Sequence, residues 1–257
     1  MSGFSQADSV ESQFGPRAES YLMSAVHAQG EDLAHFAAIL AEGGQGARLL
    51  DLGCGGGHMS FHAAPLVREV VAYDLSPEML AVVARAAGER GLVNLLTEQG
   101  EAEALPFEDQ SFDWVASRFS AHHWTDWRAG LAEAHRVLRP GGRGLFIDVI
   151  SPGLGVLDTY LQSVEILRDT SHVRDYTAGE WETAVASAGF LVQATRRHRL
   201  RMEFASWTAR MRTPEVMVSA IRALQAAVSA PVRRHFAIEA DGSFMIDVAS
   251  FEVVRPF

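Results

Sequence analysis

Apolar residues recur along this chain with two different periods. Runs of strand length at 49–52, 69–74, 94–97, 111–117 and 143–150 are largely apolar, which predicts five buried strands. Stretches of helical spacing separate them. One covers 59–66 and is weakened near its end by Pro65. Another takes Ser76 as N-cap and Pro77 as its first helical residue, then runs through Met79, Leu80, Val82, Val83 and Ala86 to Gly91. A third opens at Asp126-Trp127 and stops at Arg139-Pro140-Gly141-Gly142. Strand and helix in alternation predict a parallel sheet with helices on both faces. Right-handed crossovers then bring the segments carrying Asp51, Asp74, Glu101 and Ser117 to one edge, where a ligand would bind.

The flanks follow a different rhythm. Residues 1–15 are polar and read as loose, with order beginning near Pro16. Across 17–41, helical spacing runs through Tyr21, Leu22, Val26, Leu33, Phe36, Ala37 and Leu40. Gly30 divides it into two helices, and Gly43-Gly44 ends the second. Beyond Ser151 the pattern predicts helices over 154–169, 179–188, 204–211 and 214–229, with strands over 190–202 and 243–254. The expected fold is α/β: a doubly wound, seven-stranded, mostly parallel sheet with helical lid insertions. One structural domain is expected, in three parts. These are an N-terminal helical lid segment (1–45), a ligand-binding core (46–150), and a remainder (151–257) that completes the sheet and caps the substrate.

The chemistry begins at Leu50-Asp51-Leu52-Gly53-Cys54-Gly55-Gly56-Gly57-His58. A strand runs into a glycine turn and then a helix, the opening of a nucleotide-binding βαβ unit. A dinucleotide site wants G-x-G-x-x-G so that a pyrophosphate meets the helix N-terminus. Here His58 replaces the third glycine of that pattern, and the spacing is Asp51-x-Gly53-x-Gly55-x-Gly57. A carboxylate just ahead of the turn is awkward for pyrophosphate and suits a ligand with an ammonium group, which S-adenosylmethionine (SAM) has. The second strand ends in Asp74, an acid placed to accept from both vicinal hydroxyls of a ribose.

Composition narrows the classes. Net charge is −10 over 257 residues, which disfavours nucleic acid and anionic membrane as partners. No apolar run approaches the roughly 18 residues of a membrane span, and the polar N-terminus has no signal-peptide core. Cys54 is the only cysteine, so no internal disulfide can form and a cytoplasmic location is expected. The basic run Arg196-Arg197-His198-Arg199-Leu200-Arg201 reads as a solvated strand face, with guidance of an anionic substrate or RNA as the alternative.

With the glycine turn, Asp74, the segment Gly100-Glu101-Ala102-Glu103-Ala104-Leu105-Pro106-Phe107 and Leu138-Arg139-Pro140-Gly141-Gly142 in one register, the chain resembles the class I SAM-dependent methyltransferases. It is most similar to their UbiE/YafE-like (methyltransferase type 11) branch, through the motifs of 49–150. The flanks are similar too, through Tyr21 with Val26-His27-Ala28-Gln29-Gly30, Asp169-Thr170-Ser171-His172-Val173-Arg174, and Trp207 with Arg210-Met211-Arg212-Thr213-Pro214. The resemblance implies a Rossmann-like fold, SAM as cofactor and S-adenosylhomocysteine as product. It implies that Asp51 holds the methionine ammonium, directly or through water, and that the Gly53, Cys54 and Gly55 turn borders the methionine part. Asp74 would take the ribose, and Leu75 and Met79 would pack on adenine. Glu101 stands where the family usually has Asp on the adenine amino group, and the Ala102 N–H would reach a ring nitrogen. Ser117 and Arg118 would line the methionine side, Arg118 pairing with its carboxylate. Tyr21 would contact the cofactor from the lid.

Methyl transfer from a sulfonium needs alignment above all, and a base only when the nucleophile must lose a proton. His122, His123 and His172 are the candidate catalytic residues. Each also has a purely structural reading: packing against Trp124, capping a backbone group, or a surface pair with Arg174. His58 and His62 have the i, i+4 spacing of zinc ligands, but position 59 is Met and no third ligand is evident, so no metal is expected. The reaction expected is methyl transfer to a small organic molecule at oxygen, nitrogen or carbon, by a monomer or homodimer. The alternatives are a non-catalytic SAM-binding module and a methyltransferase of RNA or protein. Amino-methylating enzymes of the latter kind often carry Asn/Asp-Pro-Pro-Tyr/Phe after the fourth strand, where this chain has Ser117-Arg118-Phe119-Ser120. A nicotinamide-dependent reductase is a third possibility.

Overall fold

The computed structural model describes residues 5–22 and 30–257. Its strands are β1 (Arg48–Leu52), β2 (Glu69–Asp74), β3 (Leu95–Gln99), β4 (Phe112–Arg118), β5 (Leu138–Val149), β6 (Leu191–Met202) and β7 (Phe244–Val254). They form a seven-stranded sheet in the order β3-β2-β1-β4-β5-β7-β6. Every pair from β3 across to β5 is parallel, and β7 runs antiparallel to both β5 and β6. Such a sheet is Rossmann-like and doubly wound, as the alternation of elements predicts.

Successive residues of β1 show why both faces must be covered. Leu49 packs into one core with Phe36, Leu40, Val83 and Leu161, whereas Leu50 joins the opposite core with Leu131, Phe146 and Trp181. The first face carries α3 (Glu31–Gly43), α4 (His58–Ala63), α5 (Pro77–Glu89) and α7 (Gly155–Arg168). The second carries α6 (Trp127–Val137) and α8 (Ala178–Ser187). Ser76 caps α5 as expected, its Oγ accepting from Met79 N at 3.2 Å.

Three local expectations are corrected. Of the segment 1–15 expected to be loose, the described residues 5–15 are ordered: α1 spans Gln6–Phe14, started by a capping box in which the Ser5 hydroxyl and the Asp8 carboxylate serve each other's backbone N–H. Strand β5 begins at Leu138, not 143. Leu138 pairs with Phe112 before Pro140-Gly141-Gly142 bulges, and the ladder resumes at Arg143 opposite Trp114. After α9 (Phe204–Arg210) and α10 (Glu215–Ala227), the chain restarts as α11 (Ala230–His235), with proline in its first turn. Upstream, α2 covers Ala18–Leu22 and Gly30 is the N-cap of α3, while Val26 and His27 lie outside the described residues.

The basic run lies on edge strand β6, where Arg196 meets Glu252 at 3.1 Å and Arg199 meets Asp247 at 3.2 Å. No helix among the described residues is long and apolar enough to cross a membrane.

Candidate active site

The apolar residues of β1 are pinned in the core, so the strand delivers Asp51 to the sheet edge with only 1% of its surface exposed. Asp51 Oδ2 accepts from Ser60 N at 2.9 Å and Ser60 Oγ at 2.6 Å. Burial nevertheless lifts this carboxyl to about 6, against the lowering effect of those two bonds. One strand over, Asp74 Oδ2 accepts from Gly55 N at 2.8 Å and Oδ1 from Ser76 N at 3.0 Å. Burial raises Asp74 as well, in spite of the backbone donors.

The glycine turn ties the two acids together. Gly53 N and Cys54 N donate to Tyr73 O at 2.8 and 3.0 Å. Gly53 (φ +71°) and Gly55 (φ +50°) occupy the left-handed region, which a side chain makes costly. A β-carbon on Gly53 would overlap Ser120 Oγ at 1.9 Å, whereas one on Gly55 would meet nothing within 4 Å. Gly55 therefore presents bare backbone to open space.

That space is a solvent-open cleft of about 1070 Å³. Of the expected cofactor residues, it is lined by Tyr21, Asp51, Gly53, Cys54, Gly55, Asp74, Leu75, Met79, Glu101, Ala102 and Arg118. Ser117 is absent from the lining, being buried in β4. Arg118 is already engaged: its Nε donates to Asp32 Oδ2 of α3 at 2.6 Å in a buried ion pair. Burial pushes the Cys54 thiol well up, which keeps it protonated and unreactive. The backbone oxygen of Tyr21 hydrogen-bonds His58 Nε2 at 3.0 Å, and its hydroxyl donates to Met211 Sδ at 3.0 Å.

A second chamber of about 550 Å³ adjoins the cleft and shares Phe14, Tyr21, Phe119 and His123 with it. Val149, Leu200, Met202, Trp207 and Ile246 give it apolar walls, into which His122, Glu165, Arg168, Asp175 and Arg210 are set. His122 stands on a 3-10 turn (Ala121–His123) with Nδ1 2.6 Å from Asp148 Oδ1, and its backbone N–H donates to the other Asp148 oxygen at 3.3 Å. Burial alone would lower this imidazole, but the Asp148 charge and hydrogen bond outweigh it and raise it to about 9. His123 is held neutral by burial and by the charge on His122, with Nδ1 3.1 Å from Ser171 O. His172 lines neither space. Its Nε2 lies 2.9 Å from Gln162 Oε1, and burial with the nearby cations drives it down to about 2.

Several site residues escape a reading of sequence pattern. Gln6, Val10 and Phe14 of α1 line the cleft, and Gln6 Nε2 reaches across to Ser171 O at 2.6 Å. The spacing of Ser5 to Asp8, followed by Val10 and Phe14 four residues apart, carries that signal. Asp148 is visible as a lone acid inside Leu145-Phe146-Ile147-Asp148-Val149-Ile150, where a carboxylate needs a partner. Asp175 has no such signal.

The lining fits SAM. A buried acid stands ahead of the turn, a second acid ends the neighbouring strand, and the bare backbone of Gly55 borders a void that any side chain would enter. Residues 50–146 match the methyltransferase domain family. The uncharacterized protein YafE of Escherichia coli is 54% identical over 192 residues, 75% of this chain and 93% of its own length. The uncharacterized methyltransferase YcgJ of Bacillus subtilis is 37% identical over 204 residues, 79% of this chain and 80% of its own. Its crystal structure superposes with a TM-score of 0.84 at 32% identity, covering 88% of this chain and 98% of that one. Over the core alone, the demethylmenaquinone methyltransferase of Chlorobaculum parvum is 37% identical across 112 residues, 43% of this chain and 44% of its own. With relatives of that identity spanning most of its length and the glycine turn set between two acids, this chain belongs to the YafE-like branch of the class I SAM-dependent methyltransferases.

Proposed function

We propose that the enzyme methylates a small organic molecule, at oxygen, nitrogen or carbon, held in the chamber beside His122. The observation that carries this reading is the shared wall: Phe14, Tyr21, Phe119 and His123 border both the cleft and the chamber. An acceptor in one space would thus adjoin a cofactor in the other, the proximity that methyl transfer requires. The net charge of −10 favours a small molecule over RNA. A relative that acts on demethylmenaquinone supports the same class. The proposal takes the enzyme to be cytoplasmic, as monomer or homodimer.

Bound SAM would supply a methyl group made electrophilic by a positive sulfur. Asp51 would face the ammonium, Asp74 would turn its carboxylate to the ribose hydroxyls, and the Gly53–Gly55 backbone would border the methionine chain. Leu75 and Met79 would pack on the adenine, with Glu101 and the Ala102 N–H on its edge. Arg118 would meet the methionine carboxylate while keeping Asp32. In its neutral form His122, oriented by Asp148, would take the proton from an acceptor that must lose one; His123 would line the passage between the two spaces. We assign His172 to support rather than contact, since it is turned onto Gln162.

Incubating the enzyme with methyl-labelled SAM and cell extract, followed by mass spectrometry, tests the reading. Label in one small molecule is expected. Label confined to RNA or protein, or no conversion of SAM, would refute it.

A further inference from the structure

One acid of the chamber has no part in the His122–Asp148 pair. Asp175 lies between α7 and α8 with only 1% of its surface exposed. Its backbone is clamped by Gln162, which accepts from Asp175 N at 3.1 Å and donates to Asp175 O at 2.8 Å. Its side chain lines the chamber, and Oδ2 is buried with no hydrogen-bond partner among the described residues. The nearest cation-forming group is His172 Nε2 at 3.9 Å, an imidazole that stays neutral.

A buried carboxyl without a donor is costly as an anion, and cheap as an acid whose proton has somewhere to go. The surroundings push the same way. Burial, then the adjoining Glu165, raises Asp175 well above the usual carboxylate range, with Asp148 and Asp158 adding to it and only His122 opposing. The cations on the chamber wall face other acids: His122 has Asp148, Arg168 has Glu165 at 3.5 Å, and Arg210 acts on the same Glu165. What remains is a buried carboxyl on the wall of a chamber with mixed apolar and charged lining, neutral and with no acceptor for its proton among the described residues.

Granted the methyl transfer proposed above, we infer that Asp175 determines the acceptor class: its carboxyl donates a hydrogen bond to an oxygen of an uncharged, largely apolar acceptor, and it excludes ammonium compounds. An acceptor oxygen so bound would also be stabilised if it gained negative charge when His122 removed a proton elsewhere on the molecule.

Two measurements test this. In infrared difference spectra of the whole protein at neutral pH, wild type minus Asp175→Asn should contain a carboxylic-acid carbonyl band; a carboxylate band in its place overturns the proposal. The second is calorimetry with S-adenosylhomocysteine present, using 1-hydroxy-2-acetonaphthone and 1-(aminomethyl)naphthalene as probes. The hydroxyketone should bind at least tenfold tighter than the ammonium compound. Asp175→Asn, which keeps a donor, should retain that affinity to within about threefold, and Asp175→Leu should lose about tenfold. Tighter binding of the ammonium probe, no binding of the hydroxyketone, or equal affinity in Asp175→Leu overturns it. S-adenosylhomocysteine affinity should be the same in all three proteins; its absence in the wild type would instead strike at the methyltransferase site itself.

Discussion

His122, on the turn that follows β4, and Asp148, in the neighbouring parallel strand β5, meet side chain to side chain at 2.6 Å. The register explains it. Arg118 pairs with Ile147, and Phe119 N continues the ladder to Ile147 O at 2.9 Å, so the turn after β4 sits directly over the next residue of β5. Sheet pairing, rather than a mobile loop, fixes the imidazole beside the chamber.

The pair makes His122 a group with an unusual titration. Nuclear magnetic resonance of labelled histidine should find it protonated at neutral pH and titrating near 9, and Asp148→Asn should drop it to the ordinary imidazole value of about 6.5 or below. Because the folded value is raised, the stability from this pair is fully present below about 6.5 and is lost as pH rises through about 9. Chemical denaturation across that range should show the loss in the wild type and not in Asp148→Asn. Once the acceptor is known, log(kcat/KM) for a hydroxylic acceptor should climb with pH toward the same inflection.

Asp51 predicts a pH dependence of the opposite kind. An ammonium ligand prefers the ionised carboxylate, and the free protein holds this group near 6. SAM affinity should fall by about tenfold between about pH 7 and pH 5, with proton release on binding below about pH 6. Calorimetry in buffers of different ionisation enthalpy measures both. Affinity independent of pH would place the ammonium elsewhere.

The glycine turn separates fold from binding. Gly53→Ala forces a β-carbon onto Ser120 in a left-handed conformation and should destabilise the protein by more than the roughly 1–2 kcal/mol of the backbone term alone. Gly55→Ala meets no neighbour, so its stability loss should be confined to that backbone term, while S-adenosylhomocysteine affinity drops about tenfold or more. Thermal denaturation paired with calorimetry distinguishes the two.

The buried ion pair of Asp32 and Arg118 ties α3 to the end of β4. Asp32→Ala should cost about 3 kcal/mol of unfolding free energy, since it removes one partner of a buried charge pair. Urea titration reads this directly.

What could be read in the sequence follows how local each cause is. The strand carrying Asp51, the glycine turn, Asp74 and the Ser76-Pro77 helix start are all set by neighbouring residues and are legible in the sequence, whereas the start of β5 at Leu138 rests on its pairing with Phe112. Helix α1 is hard to see in a polar segment because its signal is confined to the Ser5–Asp8 capping box and the apolar Val10 and Phe14. Ser117 points into the core and Arg118 into the cleft because adjacent strand residues alternate, a distinction that an end-of-strand argument did not draw. The His122–Asp148 pair depends on β4–β5 register, and the place of Asp175 on the chamber wall depends on Gln162 of α7, two relations that no single window of sequence contains.

Asp74 offers the most direct test. Calorimetric titration of wild type and Asp74→Ala with S-adenosylhomocysteine should give micromolar binding for the former and about 100-fold weaker binding for the latter, the loss of two charge-assisted hydrogen bonds to the ribose. Equal affinity in a folded Asp74→Ala protein would show that the ribose does not sit on this acid and that the cleft is not the cofactor site.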